Sequence, residues 1–552
     1  MRGAAAAVAV SVVAFLALGS PVAVRSAADG WSARVPFTNV VASRPIEGGG
    51  YPVPPGATAP LPGTCRPGWY NSNRSESWVA VQPGTENLVG TSKTFFETFS
   101  TFYIFHLGAY TVRNGTPVAH TQVQGYDCIS TGTQSSPPSW MIVTDPNVAF
   151  DSGGRAYQTT LPANAWWVNL HPDAAIGVSY SDDLGRTWVQ GNGGRYLDRV
   201  PNQSSLTFGG VEDKQWVAVN NIPGHPFQDH VYAFWAVFNG FTVEIRYAIS
   251  RDRGASFTAP RKLTVPADQS GPANTYVYPA VDAAGTLYVA FASFPPCCVT
   301  PATLYVTHSD DDGETWSPFV KVATVDVVPE GFLPNTTFRD GIVEHFAASP
   351  VYPGHLYLVY EGWDRTKKQM DVWLTWSADG GRSWSSPQKV NDNNNEPTDQ
   401  FQPSVAAGPG GLVAVAFYDR RRACPEDPSV AHPGAENFCI DVSLQAYRDT
   451  GGRLAALGPN VRVSQHAWDP EQPVQRVGGV SQYPCAGHQD PCPKGRGFIG
   501  DYFGLAISAR NIYALFVSTH YPSDVTADDG GPVYYQQQVL ATVPRSAVER
   551  GR

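Results

Sequence analysis

Five short strings carry the side chains best suited to bind and move charge: Asp213-Lys214, Arg339-Asp340, Trp363-Asp364-Arg365, Tyr418-Asp419-Arg420-Arg421-Arg422 and Asp501-Tyr502. An arginine fork grips a carboxylate in two places, so the arginines of these strings are suited to hold an acidic group. Aspartate beside them can transfer protons, and tyrosine can act as a nucleophile. Glu344 and Glu361 are nearby in the chain and able to support such a group. The structural alternative is that these charges pair with one another as salt bridges between repeated units, since ionic networks also fill clefts. Everything depends on the elements that place them.

Those elements repeat. From Glu76 onward a two-strand unit recurs, an apolar strand followed by a short Gly/Pro/Asn turn and a second apolar strand. Clear copies are Trp78-Val79-Ala80-Val81 with Leu88-Val89-Gly90-Thr91, and Ser404-Val405-Ala406 with Val413-Ala414-Val415-Ala416-Phe417. Four units continue into one octapeptide pattern, Ser-x-Asp-x-Gly-x-(Thr/Ser)-(Trp/Phe), beginning at Ser181, Ser250, Ser309 and Ser377. Serine and aspartate hold a turn by bonding nearby backbone amides. Glycine permits positive φ at the corner, and the aromatic anchors the turn by burial. A turn recurring at intervals of 69, 59 and 68 residues within strand-rich sequence indicates a repeat fold.

This pattern resembles the Asp-box repeat of the sialidase superfamily of β-propellers. The resemblance covers most of residues 75–545. It implies an all-β fold, a single β-propeller of four-stranded blades. Seven strand pairs favour seven blades, with six, the family's usual number, as the alternative if one pair belongs to an insertion. The octapeptides then lie at the rim as turns between the third and fourth strands, so Asp310, Asp311 and Asp312 are expected to be scaffolding. The starts of the innermost strands and the turns between second and third strands share the opposite face, which is the one expected to work.

Retaining sialidases bind the sugar carboxylate with three arginines and use an aspartate acid/base and a glutamate-assisted tyrosine nucleophile. By position the resemblance implies Arg339, Arg365 and Arg420 for the arginines, Asp213 or Asp340 for the acid and Tyr502 for the nucleophile. Glu344 or Glu361 would be the supporting acid, and Asp501 would add to substrate binding. The family's (Phe/Tyr)-Arg-Ile-Pro motif is absent; the nearest string, Arg44-Pro45-Ile46, is scrambled. Asp213-Lys214-Gln215-Trp216 and Phe498-Ile499-Gly500-Asp501-Tyr502 are similar to strings of secreted sialidase-like proteins. An exo-glycosidase of sialidase type is the first expectation. A non-catalytic propeller binding glycan or protein is the second, and a polysaccharide lyase the third.

Bulk properties narrow the setting. A net charge of −10 and a pI near 5.6 argue against nucleic acid as partner. Arg2, the apolar run from Ala4 to Leu18 and Ser26-Ala27-Ala28 look like an export signal over residues 1–28. Residues 29–74 form a Pro/Gly-rich extended lead-in, 75–545 the propeller and 546–552 a C-terminal tail. An exported chain with eight cysteines is expected to form disulfides. Cys424 with Cys439 and Cys485 with Cys492 are the local pairings, with Cys65–Cys128 and a vicinal Cys297–Cys298 completing the set. The expected protein is a secreted monomer without transmembrane anchor, cofactor or metal, its partner an extracellular glycan or glycoconjugate.

Overall fold

Short apolar strands separated by tight turns pair with their sequence neighbours, and the result is a nearly all-β chain with one short helix, Arg545–Glu549. The computed structural model describes residues 31–43, 73–95, 105–122, 142–164, 173–200, 210–239, 242–264, 270–295, 301–331, 333–334, 336, 338–341, 344–393, 398–422, 439–470, 474–482 and 498–550. The segment read as an export signal, seven of the eight cysteines and Arg44-Pro45-Ile46 lie outside them. Cys439 is disulfide-bonded.

The antiparallel units follow one another along the chain. Arg74–Val81, Leu88–Phe95, Phe105–Arg113 and Thr116–Gln122 form the first. The bridge Phe105↔Ile142 joins it in parallel to a second unit built on Ala156–Asn164 and Asp173–Ser181. Gly210–Val219, Val231–Asn239 and Thr242–Ser250 lead the third, joined by Val243↔Ala273 to the fourth. The fourth unit is Ala273–Val281, Leu287–Phe294, Ala302–Ser309 and Val320–Val325. Two further sheets begin at Glu344–Ala348 and Gln400–Gly408. A last sheet runs Gly504–Ile507, Asn511–Ser518, Gln537–Pro544.

The last sheet is completed from the other end of the chain. Thr38–Val41, within the segment read as a lead-in, pairs antiparallel with Gln537–Pro544 in the register Thr38↔Thr542 to Val41↔Val539. First strands of successive units pack side by side, and Gly504–Ile507 of the last lies against Arg74–Val81 of the first. The approach is close: a Cβ on Gly504 would stand 2.5 Å from Val79 N and 2.7 Å from Trp78 Cα. Only glycine fits there.

The four octapeptides form one turn. In the third, Ser309 Oγ donates to Asp311 Oδ1 at 2.8 Å and accepts from Gly313 N at 2.8 Å, while Thr315 N donates to Asp311 Oδ1 at 2.8 Å. The other three repeat these bonds. The central carboxylates are therefore occupied by the turn. Asp312 serves the neighbouring unit, accepting from His230, Tyr232 and Arg251 at 2.9, 2.8 and 2.7 Å.

Candidate functional site

The first strands share a deformation that decides where charge collects. Register slips between Ser75 and Trp78, Asp213 and Trp216, Thr275 and Tyr278, and Phe401 and Ser404. At each slip a non-glycine residue takes left-handed φ: Glu76 at 50°, Lys214 at 51°, Tyr276 at 53° and Gln402 at 46°. Asp145 at 57° occupies the corresponding place between the two short first strands of the second unit. Such conformations cost side-chain-bearing residues about 1–2 kcal/mol each. Bulges of this kind re-aim side chains.

Two residues beyond these positions the strands turn apolar groups inward. Trp78, Trp216 and Tyr278 follow Glu76, Lys214 and Tyr276, and with His345 and Tyr502 they form an aromatic cluster. Ring centroids are 4.6 Å apart for Trp78–Trp216, 4.8 Å for Trp216–Tyr278 and 5.1 Å for Trp216–Tyr502. Burial holds the His345 imidazole down to about 3, against a backbone bond from Val405 N at 2.9 Å. It is a neutral packing group. Neighbouring units are laced around this plug by Gln402 Nε2 to Gly500 O at 2.7 Å and Gln215 Nε2 to Thr144 O at 2.9 Å.

Charges gather above the plug. Asp501 accepts from Arg339 through Nε at 2.9 Å and Nη2 at 2.5 Å, and from Lys214 Nζ at 2.7 Å. Asp145 lies 3.8 Å from the same ammonium. Lys93 Nζ stands 2.8 Å from Glu76 Oε2, and both Lys93 and Arg339 face the Phe498 ring at 4.5 Å. Exposure falls with depth, from 51% for the Arg339 side chain to 13% for Asp501 and Lys214 and none for Glu76.

The environment splits the four carboxyls into two classes. Burial opposes ionisation of Asp501, but Arg339 and Lys214 outweigh it and hold the group well below the usual range. Asp145 is likewise buried and is held down by Lys214 and Lys93. Burial wins at the other two. Glu76 is pushed up to about 7 despite Lys93, and Asp213 to about 6 despite Lys214. Carboxyls driven apart in this way can divide acid and base roles near neutral pH.

The expected residues separate accordingly. Asp213, Arg339 and Asp501 come together with Lys214 above Tyr502. The Tyr502 hydroxyl donates to Pro146 O at 3.0 Å, and its ring belongs to the buried plug. Arg365 instead pairs with Asp326 at 2.8 Å in solvent, and the fully buried Arg420 bonds Asp399 at 3.0 Å and Pro334 O at 3.1 Å. The three arginines thus have three different carboxylate partners. Glu361 accepts from Gln402 N at 2.7 Å and so holds a bulge. Asp340 and Glu344 are enclosed, and burial raises both well above the usual range, with Asp399 adding to the effect at Asp340. Glu76, Lys93, Asp145 and Tyr276 were not expected. Glu76 and Tyr276 carry a positional signal, each two places before an inward aromatic, whereas Lys93 and Asp145 carry none.

No protein-family model matches the chain, and no curated protein is detectably similar in sequence. Solved structures share its architecture distantly, and they include sialidases and other glycan-acting enzymes. The Hadza microbial sialidase Hz136 is 13% identical over 82% of this chain and 75% of its own, with a TM-score of 0.38. The α-L-arabinofuranosidase Arb93A of Fusarium graminearum is 10% identical over 68% of this chain and 93% of its own, at 0.42. A PL25 ulvan lyase is 9% identical over 85% and 95%, also at 0.42. Likeness at this level does not transfer a reaction or a site residue.

Proposed function

We propose that the chain is a secreted, seven-bladed propeller enzyme acting on an acidic glycan, a glycosidase of sialidase type centred on the Asp501 cluster. The observation that carries the reading is the convergence of left-handed Glu76, Asp145, Lys214 and Tyr276 on one charged group whose carboxyls are split in acidity. Strained bulges gathered at one cleft are typical of functional sites. The blade count rests on the sheets, the ten- and eight-stranded ones each dividing at a parallel bridge.

In this reading Arg339 meets the acidic group of the sugar. It is half exposed, and its Nη1 makes no hydrogen bond among the described residues. Asp213, protonated below about 6, donates its proton to the departing glycosidic oxygen. Tyr276 takes the nucleophile's place, because it is half-buried over Lys214 with its ring 5.4 Å from the ammonium, whereas the Tyr502 hydroxyl is engaged. The Tyr276 oxygen bonds the anomeric carbon as the glycosidic bond breaks, and its own proton passes to solvent water. Water then cleaves the sugar from Tyr276, with Asp213 as base.

Turnover of a panel of fluorogenic acidic glycosides tests this. Asp213→Asn should lower kcat by about 100-fold or more, Tyr276→Phe should abolish it, and Tyr502→Phe should leave it nearly intact. Arg339→Ala should chiefly raise KM for acidic substrates. Normal turnover in Asp213→Asn, or loss only in Tyr502→Phe, would overturn the assignment. Glycan binding with no cleavage of any member would point to the non-catalytic propeller.

A further inference from the structure

A second site lies apart from the axial cluster. A cavity of about 590 Å³ opens between the N-terminal segment around Trp31, the link following Arg462 and the residues after Asn511–Ser518. Its basic lining is formed by Arg34, Arg422, Arg462, His466 and His520, with no carboxylate among the described lining residues. In a chain of net charge −10 this is a local reversal of sign.

The pocket is firmly built. Trp31 Nε1 donates to Ser443 Oγ at 2.8 Å, and the guanidinium carbons of Arg421 and Arg462 lie 5.2 and 5.6 Å from its ring centre. Arg462 is held by Asp441, with Nε at 2.7 Å from Oδ1. His466 and His520 stack in parallel with centroids 3.9 Å apart. Burial and then Arg462 keep the His466 imidazole below its ordinary value, with Asp441 opposing.

The three successive arginines have different surroundings. Arg420 bonds Asp399, and Arg421 bonds Asp419 and Asp392 at 2.7 and 2.6 Å. Arg422 is half-buried, lines the cavity and makes no ion pair among the described residues.

We infer that this pocket binds an acidic monosaccharide unit, a sugar ring bearing a carboxylate or sulfate that Arg422 and Arg462 receive. The volume fits a ring-sized ligand, since small-molecule pockets span roughly 300–1,000 Å³, and it far exceeds the space a bare ion needs. Trp31, Phe37 and Val35 offer apolar surface to the C–H face of a sugar, while Ser464 and Gln465 offer hydrogen bonds to hydroxyls. Gln400 pairs with Asp419, so Arg422 emerges from the same end of its sheet as the axial cluster. None of the residues is shared with that cluster, and the inference stands without any activity there.

Calorimetric titration of the full chain with glucuronate, glucose 6-sulfate, glucose and inorganic sulfate tests it. One or both acidic sugars should bind, and the stronger identifies the acidic group; glucose should bind at least about tenfold more weakly, because one charged contact commonly accounts for that factor. Arg422→Ala should weaken acidic-sugar binding by about tenfold or more, and Trp31→Ala should weaken it as well. Arg186→Ala, an exposed arginine of an octapeptide turn outside both sites, should leave it unchanged. Binding of an acidic sugar should also raise the His466 pKa read by NMR. Glucose binding as tightly as the acids, sulfate alone matching them, binding by neither acid, an Arg422→Ala variant that folds and binds normally, or equal loss in Arg186→Ala would each overturn the assignment.

Discussion

Replacing Glu76 by glutamine should change how stability responds to pH, and the structure gives both sign and size. The carboxyl is wholly buried and is raised from 4.5 to about 7, burial outweighing the attraction of Lys93. Between those values the folded protein retains a proton that the unfolded chain has released. A folded-state pKa above the unfolded one contributes stability that is complete below the unfolded value and is lost as pH rises through the folded value. At about 1.36 kcal/mol per pKa unit, the loss is roughly 3 kcal/mol. Glutamine keeps the shape and cannot ionise. Asp213 titrates in both proteins, so the difference between their stability curves isolates Glu76. Chemical denaturation from about pH 4.5 to about pH 8 measures it, and the variant should gain roughly 3 kcal/mol on wild type across that interval. Lost pairing with Lys93 can offset the curves without altering this trend. Parallel curves would refute the reasoning, because they would mean that Glu76 does not titrate in this range.

Three further outcomes follow from the geometry. Asp379→Ala removes the acceptor of Ser377 Oγ, Ser383 N and Ser383 Oγ at 2.8, 2.9 and 2.5 Å; it should lower stability by about 1–2 kcal/mol while leaving the specific activity of folded protein unchanged, as melting curves and a turnover assay on the soluble fraction would show. Gly504→Ala places a methyl carbon 2.5 Å from Val79 N where first and last sheets meet, so unfolding should become about 3 kcal/mol easier or more, read by denaturant midpoint. If Asp213 is the proton donor, its pKa of about 6 sets the alkaline limb of kcat/KM, so activity should fall as pH rises through that value and the limb should vanish from any residual activity of Asp213→Asn.

How much of this was legible in the sequence follows from what each feature needs. Strand pairs and octapeptide turns repeat with local chemistry, and Ser309, Asp311 and Gly313 make their bonds within five residues of one another. The closing strand Thr38–Val41 is obscure because its partner is some 500 residues away and only pairing distinguishes it from extended lead-in. Asp213, Arg339 and Asp501 stand out in the sequence because charged residues opening an apolar strand attract notice. Glu76, Asp145 and Tyr276 were missed because glycine is the usual mark of left-handed backbone and none of them is glycine. Here tertiary packing imposes the conformation. The aromatic two places on, Trp78, Trp216 or Tyr278, fills the centre only if the strand slips one register behind it, and the slip forces the preceding residue left-handed. One device therefore both plugs the centre and turns polar side chains toward its mouth. The slip recurs at Gln402 with Ser404 two places on, so the residue bearing the strain varies between glutamate, lysine, tyrosine and glutamine. That freedom is what lets a repeated scaffold assemble an irregular set of charges around Asp501.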